Sequence, residues 1–227
     1  MSRAATAAAE VKSRAKVRAG YYLADGSRVP SVTTILGVIA KPALIKWANN
    51  LGLQGIDSTK YVDALAGIGT LAHAMATAYL RGESPEAECA GYDKATVDLA
   101  ENCFLSFLSW AKDREIKPVL MEVPLVSEMF RYGGKFDFYG TIDGRLTVAD
   151  FKTGSGIWPE HFHQLAAYGH LLVENGHDKP TDYLVINIPR AASESFDTKT
   201  RTDVSDDWEM FKLAMGMYRL QAKIKKA

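Results

Sequence analysis

Asp150 and Lys152 stand two residues apart in the run LTVADFKTG, residues 146–154. On a β-strand that spacing puts both side chains on one face. Burying a carboxylate and an ammonium is costly unless they are paired or used, so the run invites a chemical reading. Asp143-Gly144, just upstream, is a two-residue hairpin signal. A turn there pairs Ile142 with Arg145 and, carried back along the strand, Asp137 with Asp150. The carboxylates become cross-strand neighbours with Cβ atoms ~4.5–5.5 Å apart. Like charges so placed destabilise a sheet, and a bridging divalent cation is the simplest compensation. Oxygen-only ligands suit Mg²⁺ or Mn²⁺. The same register sets Lys135 opposite Lys152, with Tyr132, Phe136 and Phe138 as the apolar reverse face. A solvated surface hairpin carrying two aspartates and two lysines is the competing reading.

Further residues fall beside this pair. In HFHQLAAYGHLL, Gln164 and Tyr168 are four apart and share a helical face. They flank an apolar arc of Phe162, Leu165, Ala166, Gly169, Leu172 and Val173, where a packed helix meets a cleft. In GIGTLAHAM, His73 sits at the margin of a stripe of Leu65, Ile68, Ala72, Met75 and Tyr79. A lone histidine at such a margin is more often a hydrogen-bonded boundary residue than a ligand. His161 and His163 form an H-x-H pair without a third convincing ligand, and both read as helix-surface residues.

The elements that would hold these groups are legible in outline. YYLADGSRVPSV reads as a hairpin turning at Asp25-Gly26. Ser31 is placed to cap a short helix, and KPALIKWANNLG reads as another, closed by Gly52. Longer helices are expected at 60–81 and 91–114. Then come β-rich runs at KPVLMEVPLV, RYGGKFDFYGTI and RLTVADFK, a helix at about Pro159–Glu174, a strand DYLVINI and a last helix at about Ser205–Lys225. From residue 91 the order is α-β-β-β-α-β-α, a mixed α/β layout with antiparallel hairpins at its centre.

The chain has 227 residues, 47% hydrophobic and 24% charged, as an ordinary globular protein does. Two cysteines, Cys89 and Cys103, exclude a four-cysteine zinc or iron–sulfur site within one chain and fit a reducing compartment. No apolar run reaches the ~18 residues of a membrane span. The formal net charge is zero. Basic residues gather at Arg3, Lys12, Arg14, Lys16 and Arg18, and again at Arg219, Lys223, Lys225 and Lys226. Residues 1–18 read as a basic flexible tail, with a loose likeness to an organelle transit peptide. Residues 19–227 read as one domain: N-terminal hairpin and helices at 19–90, a core at 91–190 and a C-terminal helix at 203–225.

Taken together, GGKFD, the spacing from Asp137 to Asp150, DFK and QLAAY resemble the PD-(D/E)XK nuclease superfamily, and within it the RecB-like branch with its phage-type exonucleases. Gly69 and His73 match a Gly-x-x-x-His-like motif of that branch, and PSVTTIL and ALIKWA resemble its opening segment; the likeness covers roughly residues 29–190. It implies a restriction-endonuclease-like core of αβββαβ order with extra N-terminal helices. It implies that Asp137, Asp150 and the backbone carbonyl of Phe151 hold Mg²⁺ or Mn²⁺, with His73 completing the shell. Glu122, alternating with Leu120, Pro124 and Val126 on the preceding strand, is either an acidic neighbour of that metal or an edge glutamate reaching solvent. Lys152 would activate water and counter charge on the phosphate, while Gln164 and Tyr168 orient Lys152 or hold the nucleic-acid backbone.

The function so implied is a metal-dependent DNA exonuclease of recombination, replication or repair. Its expected partners are DNA, further copies of itself and a single-strand annealing or recombination protein, with no membrane. The expected location is the cytoplasm of a bacterial or phage-infected cell. A structure-specific endonuclease and an inactive nucleic-acid-binding module remain alternatives. The inactive module would be free to lose Lys152 or an aspartate, and neither is lost here.

Overall fold

The computed structural model describes residues 20–154, 156–190 and 194–226; the basic run expected as a tail at 1–18 lies outside them. In chain order the elements are β1 (Tyr21–Tyr22), β2 (Arg28–Val29), α1 (Val32–Leu36), α2 (Pro42–Leu53) and α3 (Ser58–Arg81). A 3-10 turn at Pro85–Cys89 leads to α4 (Lys94–Ala111), β3 (Ile116–Leu120), β4 (Pro124–Ser127), β5 (Tyr132–Lys135) and β6 (Phe138–Ile142). Then follow β7 (Arg145–Thr153), α5 (Pro159–Glu174), β8 (Asp182–Ile188), β9 (Asp197–Arg201) and α6 (Ser205–Ile224).

Local chemistry sets several boundaries. Ser31 accepts the Thr34 amide at 3.0 Å, Asp57 accepts that of Thr59 at 2.8 Å, and Asp93 accepts that of Thr96 at 3.0 Å. Each removes an orphan donor from a first helical turn. Gly82, at φ 73°, ends α3 in the left-handed conformation that glycine adopts without a steric penalty. Gly52 does not end α2, which runs through it to Leu53; the positive-φ residue is Gly55.

A five-stranded mixed sheet, ordered β3-β6-β7-β8-β9, forms the centre. Only β7 and β8 are parallel, joined over the sheet by α5. One face carries α1, α5 and α6, with Tyr132, Phe136, Leu165, Tyr168 and Phe211 buried between the layers. The other carries α3 and α4, with Leu71, Phe107, Phe138 and Phe151. Truncating one of these rings to alanine costs about 3–5 kcal/mol.

Three expectations need correction. KPVLMEVPLV and RYGGKFDFYGTI are each split, giving β3 and β4, and β5 and β6, with β4–β5 a separate two-stranded sheet. Phe136 and Phe138 therefore serve opposite cores instead of one reverse face. Strand β9, at DTKTR, was not expected: all but its last residue are exposed, so it carries no apolar alternation. Among the described residues, no helix is long and apolar enough to cross a membrane.

Candidate active site

The site forms where the sheet forks. The β6–β7 ladder runs from Ile142–Arg145 to Phe138–Ala149, stopping one step short of Asp137 and Asp150. The turn thus sets the expected register, while Asp137 lies just beyond the ladder. Upstream, β5 leaves the central sheet to pair with β4. The Phe151 backbone is met there by side chains: its amide donates to Asp137 Oδ2 at 2.6 Å, and its carbonyl meets His73 Nε2. Lys135 is paired with Pro124 and not with Lys152, and its ammonium forms an ion pair with Glu122.

Glu122 lies in the break between β3 and β4, not on a continuous strand, with φ 57° and its amide donating to Phe136 O at 3.2 Å. Pairings on either side, Leu120 with Tyr139 and Pro124 with Lys135, carry Glu122 to the level of Asp137. Ligand atoms of His73, Glu122 and Asp137 lie within 4.8 Å of one another. His73 Nδ1 is 3.7 Å from Asp137 Oδ1. Asp150 is outside this trio.

Asp150 is held from its other side. Gln164 Nε2 donates to Asp150 Oδ1 at 3.1 Å and to the Tyr168 hydroxyl at 2.8 Å, and Gln164 Oε1 accepts from Lys152 Nζ at 3.1 Å. Lys152 can only donate and an ionised Asp150 only accept, which fixes the orientation of the amide. Asp150 Oδ2 lies 2.5 Å from Lys152 Nζ, yet it is buried without an aligned hydrogen bond. Burial raises the Asp150 carboxyl to about 6, opposed by Lys152 and reinforced by Asp137. Burial, then Asp150, also raises the Tyr168 hydroxyl well above its ordinary value, so it stays protonated.

Helix α3 supplies the third wall. A Cβ on Gly69 would collide with Thr153 Oγ1, so this glycine lets α3 lie against the end of β7. His73, one turn on, then reaches the Phe151 carbonyl. The resulting cleft, about 450 Å³, is lined by His73, Glu122, Lys135, Asp137, Asp150, Lys152, Gln164 and Tyr168. Thr70, Thr77, Arg81, Glu83 and Glu88 also line it and were not anticipated. The signal for two of them was the step of four from Gly69 through His73 and Thr77 to Arg81. Arg81 donates to Met121 O at 3.2 Å, tying α3 to the segment that carries Glu122.

His161 and His163 are not surface residues as expected. His163 is paired with the buried Asp207 at 2.7 Å, and His161 Nδ1 accepts the Trp158 amide at 3.2 Å. Burial lowers His161 to about 4, with the Lys152 charge adding to the effect.

The donor set fits a divalent cation. Carboxylates of Glu122 and Asp137, the His73 imidazole, the Phe151 carbonyl and the Asp150 carboxylate beside them are ligands of the kinds such ions take. No protein-family model and no curated protein matches the chain. Among solved structures, a candidate exonuclease from Eubacterium rectale aligns with 70% of this chain and 69% of its own, at TM-score 0.48 and 14% identity. The protein SSO0001 aligns with 60% of this chain and 64% of its own, at TM-score 0.36 and 17% identity. The alignments span about two thirds of each of those proteins.

Proposed function

We propose that this chain is a Mg²⁺- or Mn²⁺-dependent DNA exonuclease of PD-(D/E)XK type, its residues 19–227 forming one nuclease domain. The observation that carries the reading is the convergence of Glu122, Asp137 and Asp150 with Lys152 in one cleft. Lys135 and Lys152 offset part of the repulsion among these carboxylates, and a divalent cation joining them would offset the rest. The Asp150 carboxylate is buried in the wall of this cleft, one oxygen held by Gln164 and the other charge-paired with Lys152, so it faces the cleft in a fixed orientation.

In this reading Asp137, Glu122, His73, Asp150 and the Phe151 carbonyl hold the cation. When bound, it supplies an acidified water and charge stabilisation at the phosphate. Lys152 stands beside Asp150 and presents a fixed positive charge to the attacked phosphate and the incoming water. Gln164 holds that ammonium in place, and Tyr168, kept neutral by burial, fixes Gln164. A broader groove of about 870 Å³, lined by Arg28, Ser31, Thr33 and Thr34, meets the cleft at Thr33. One cation and several hydroxyls suit contacts to the DNA backbone, which position a strand without reading its sequence.

The test uses end-labelled linear DNA and a closed circle, with Mg²⁺, Mn²⁺ or chelator, beside Asp150→Ala. Metal-dependent loss of the linear DNA alone, abolished by Asp150→Ala, is expected. Cleavage of the circle would assign an endonuclease. Binding of both DNAs with no cleavage would assign a non-catalytic module.

A further inference from the structure

Helix α6 has two apolar stripes. One, of Trp208, Phe211, Ala214 and Met215, is buried against the body. The other consists of Met210, Leu213, Met217, Leu220 and Ile224, with 41%, 65%, 51%, 58% and 64% of their surfaces exposed. Their spacing alternates three and four residues, the heptad rhythm of a coiled-coil seam. At about 100° per residue, the second stripe points roughly away from the first. Isolated exposed apolar residues are ordinary, but a seam along four turns of one helix is a contact surface.

Charge and shape specify its occupant. Acidic Asp206 and Glu209 flank the start of the seam, and basic Arg219, Lys223, Lys225 and Lys226 flank its end. A second copy running antiparallel would bring opposite charges together at both ends. In the a-to-d′ register, Met210 lies beside Leu220 of the second copy and Leu213 beside Met217. Glu209 then meets Lys223 of the second copy, twice by symmetry, and the two Gly216 residues meet near the axis. Gly216 is exposed in mid-helix, where a Cβ would touch nothing within 4 Å of the same chain. Glycine costs about 1 kcal/mol against alanine there, and a close helix crossing gives it a purpose.

We propose that the protein forms an isologous dimer through antiparallel pairing of the exposed α6 seam. Glu209 reaches Lys212 at 2.7 Å within its own helix, but this exposed pair is loosely held and free to exchange partners. Neither Met217 nor Lys223 lines the cleft, so the assembly is separable from catalysis.

Analytical ultracentrifugation of the full chain over a concentration series is expected to show a dimer that dissociates on dilution. Met217→Glu should leave a monomer whose melting temperature equals that of the parent at dilutions where the parent is dissociated. Glu209→Lys or Lys223→Glu alone should weaken dimerisation about tenfold, and the two together should restore it, because only antiparallel pairing joins these positions. Mild oxidation of Gly216→Cys should give a covalent dimer, and Arg219→Cys should not. A chain monomeric at every concentration would overturn the proposal, as would a dimer indifferent to Met217→Glu or charge swaps without mutual rescue. So would a monomer that uses the seam to bind phosphatidylserine vesicles.

Discussion

Lys152 donates to the side-chain oxygen of Gln164 at 3.1 Å, and Gln164 commits its amide hydrogens to Asp150 and Tyr168. The helix residue therefore acts through the strand residue. Gln164→Ala should lower kcat about 10- to 100-fold with little change in KM. Lys152→Ala should lower it about 10²- to 10³-fold. The double variant should be no worse than Lys152→Ala alone, since both changes disable one unit. Additive losses in steady-state kinetics would show instead that Gln164 acts independently.

His73 and Glu122 join Asp137 in the proposed metal set, whereas Asp150 stands outside the close trio. Glu122→Gln and His73→Ala should each weaken Mn²⁺ binding at least ~10-fold by isothermal titration calorimetry. The rise in melting temperature on adding Mn²⁺ should shrink with them, because ligand binding to the folded state alone stabilises it. Variants that bind Mn²⁺ as the parent does would remove both residues from the set.

Gly69 lets α3 approach Thr153. Gly69→Ala should therefore oppose two effects. Helix propensity improves by about 1 kcal/mol, while the new methyl pushes the helix from β7 and withdraws His73. Cleavage should fall several-fold although the melting temperature drops little. Adding Thr153→Ala removes the obstructing oxygen and should return most of the activity. Gly69→Ala alone with full activity would show that the helix tolerates the shift.

Burial holds His161 at about 4, below its ordinary 6.5. Between those values the unfolded chain binds more protons than the folded one, so stability rises with pH. In the other direction, stability is lost as pH falls from about 6.5 to about 4. Allowing for partial exposure, the residue accounts for roughly 1–2 kcal/mol across that window. His161→Gln should flatten the melting-temperature profile there and leave it unchanged above pH 7. A variant with the parent's slope would assign the slope to other groups.

The two thiols should differ in reactivity. Cys103 is buried, and desolvation pushes its thiol up to about 11, whereas Cys89 is only partly covered. Reaction depends on thiolate and access. Ellman's reagent should titrate one thiol per native chain, slowly, and two in denaturant. Two fast thiols in the native protein would show that α4 opens readily.

The strand carrying Asp150 and Lys152 is legible because Asp143-Gly144 fixes its register with Arg145 and everything behind it. Helix α5 was legible because its arc of apolar residues is unbroken from Phe162 to Leu172. Glu122 was harder. It required a second register, counted from the connection between Ser127 and Tyr132, and a left-handed residue that interrupts a strand-like run. His163 was hidden because its partner, Asp207, is forty-four residues away on another helix. Short-range patterns state which face a residue takes, but not which distant charge meets it.

The fork in the sheet gives the site its own reporter. The Phe151 amide is tethered to the Asp137 carboxylate where a neighbouring strand would ordinarily hold it. Whatever Asp137 binds must polarise or release that one hydrogen. Its ¹⁵N–¹H resonance and its exchange with D₂O should therefore register occupation of the cleft directly, even in variants that no longer turn over.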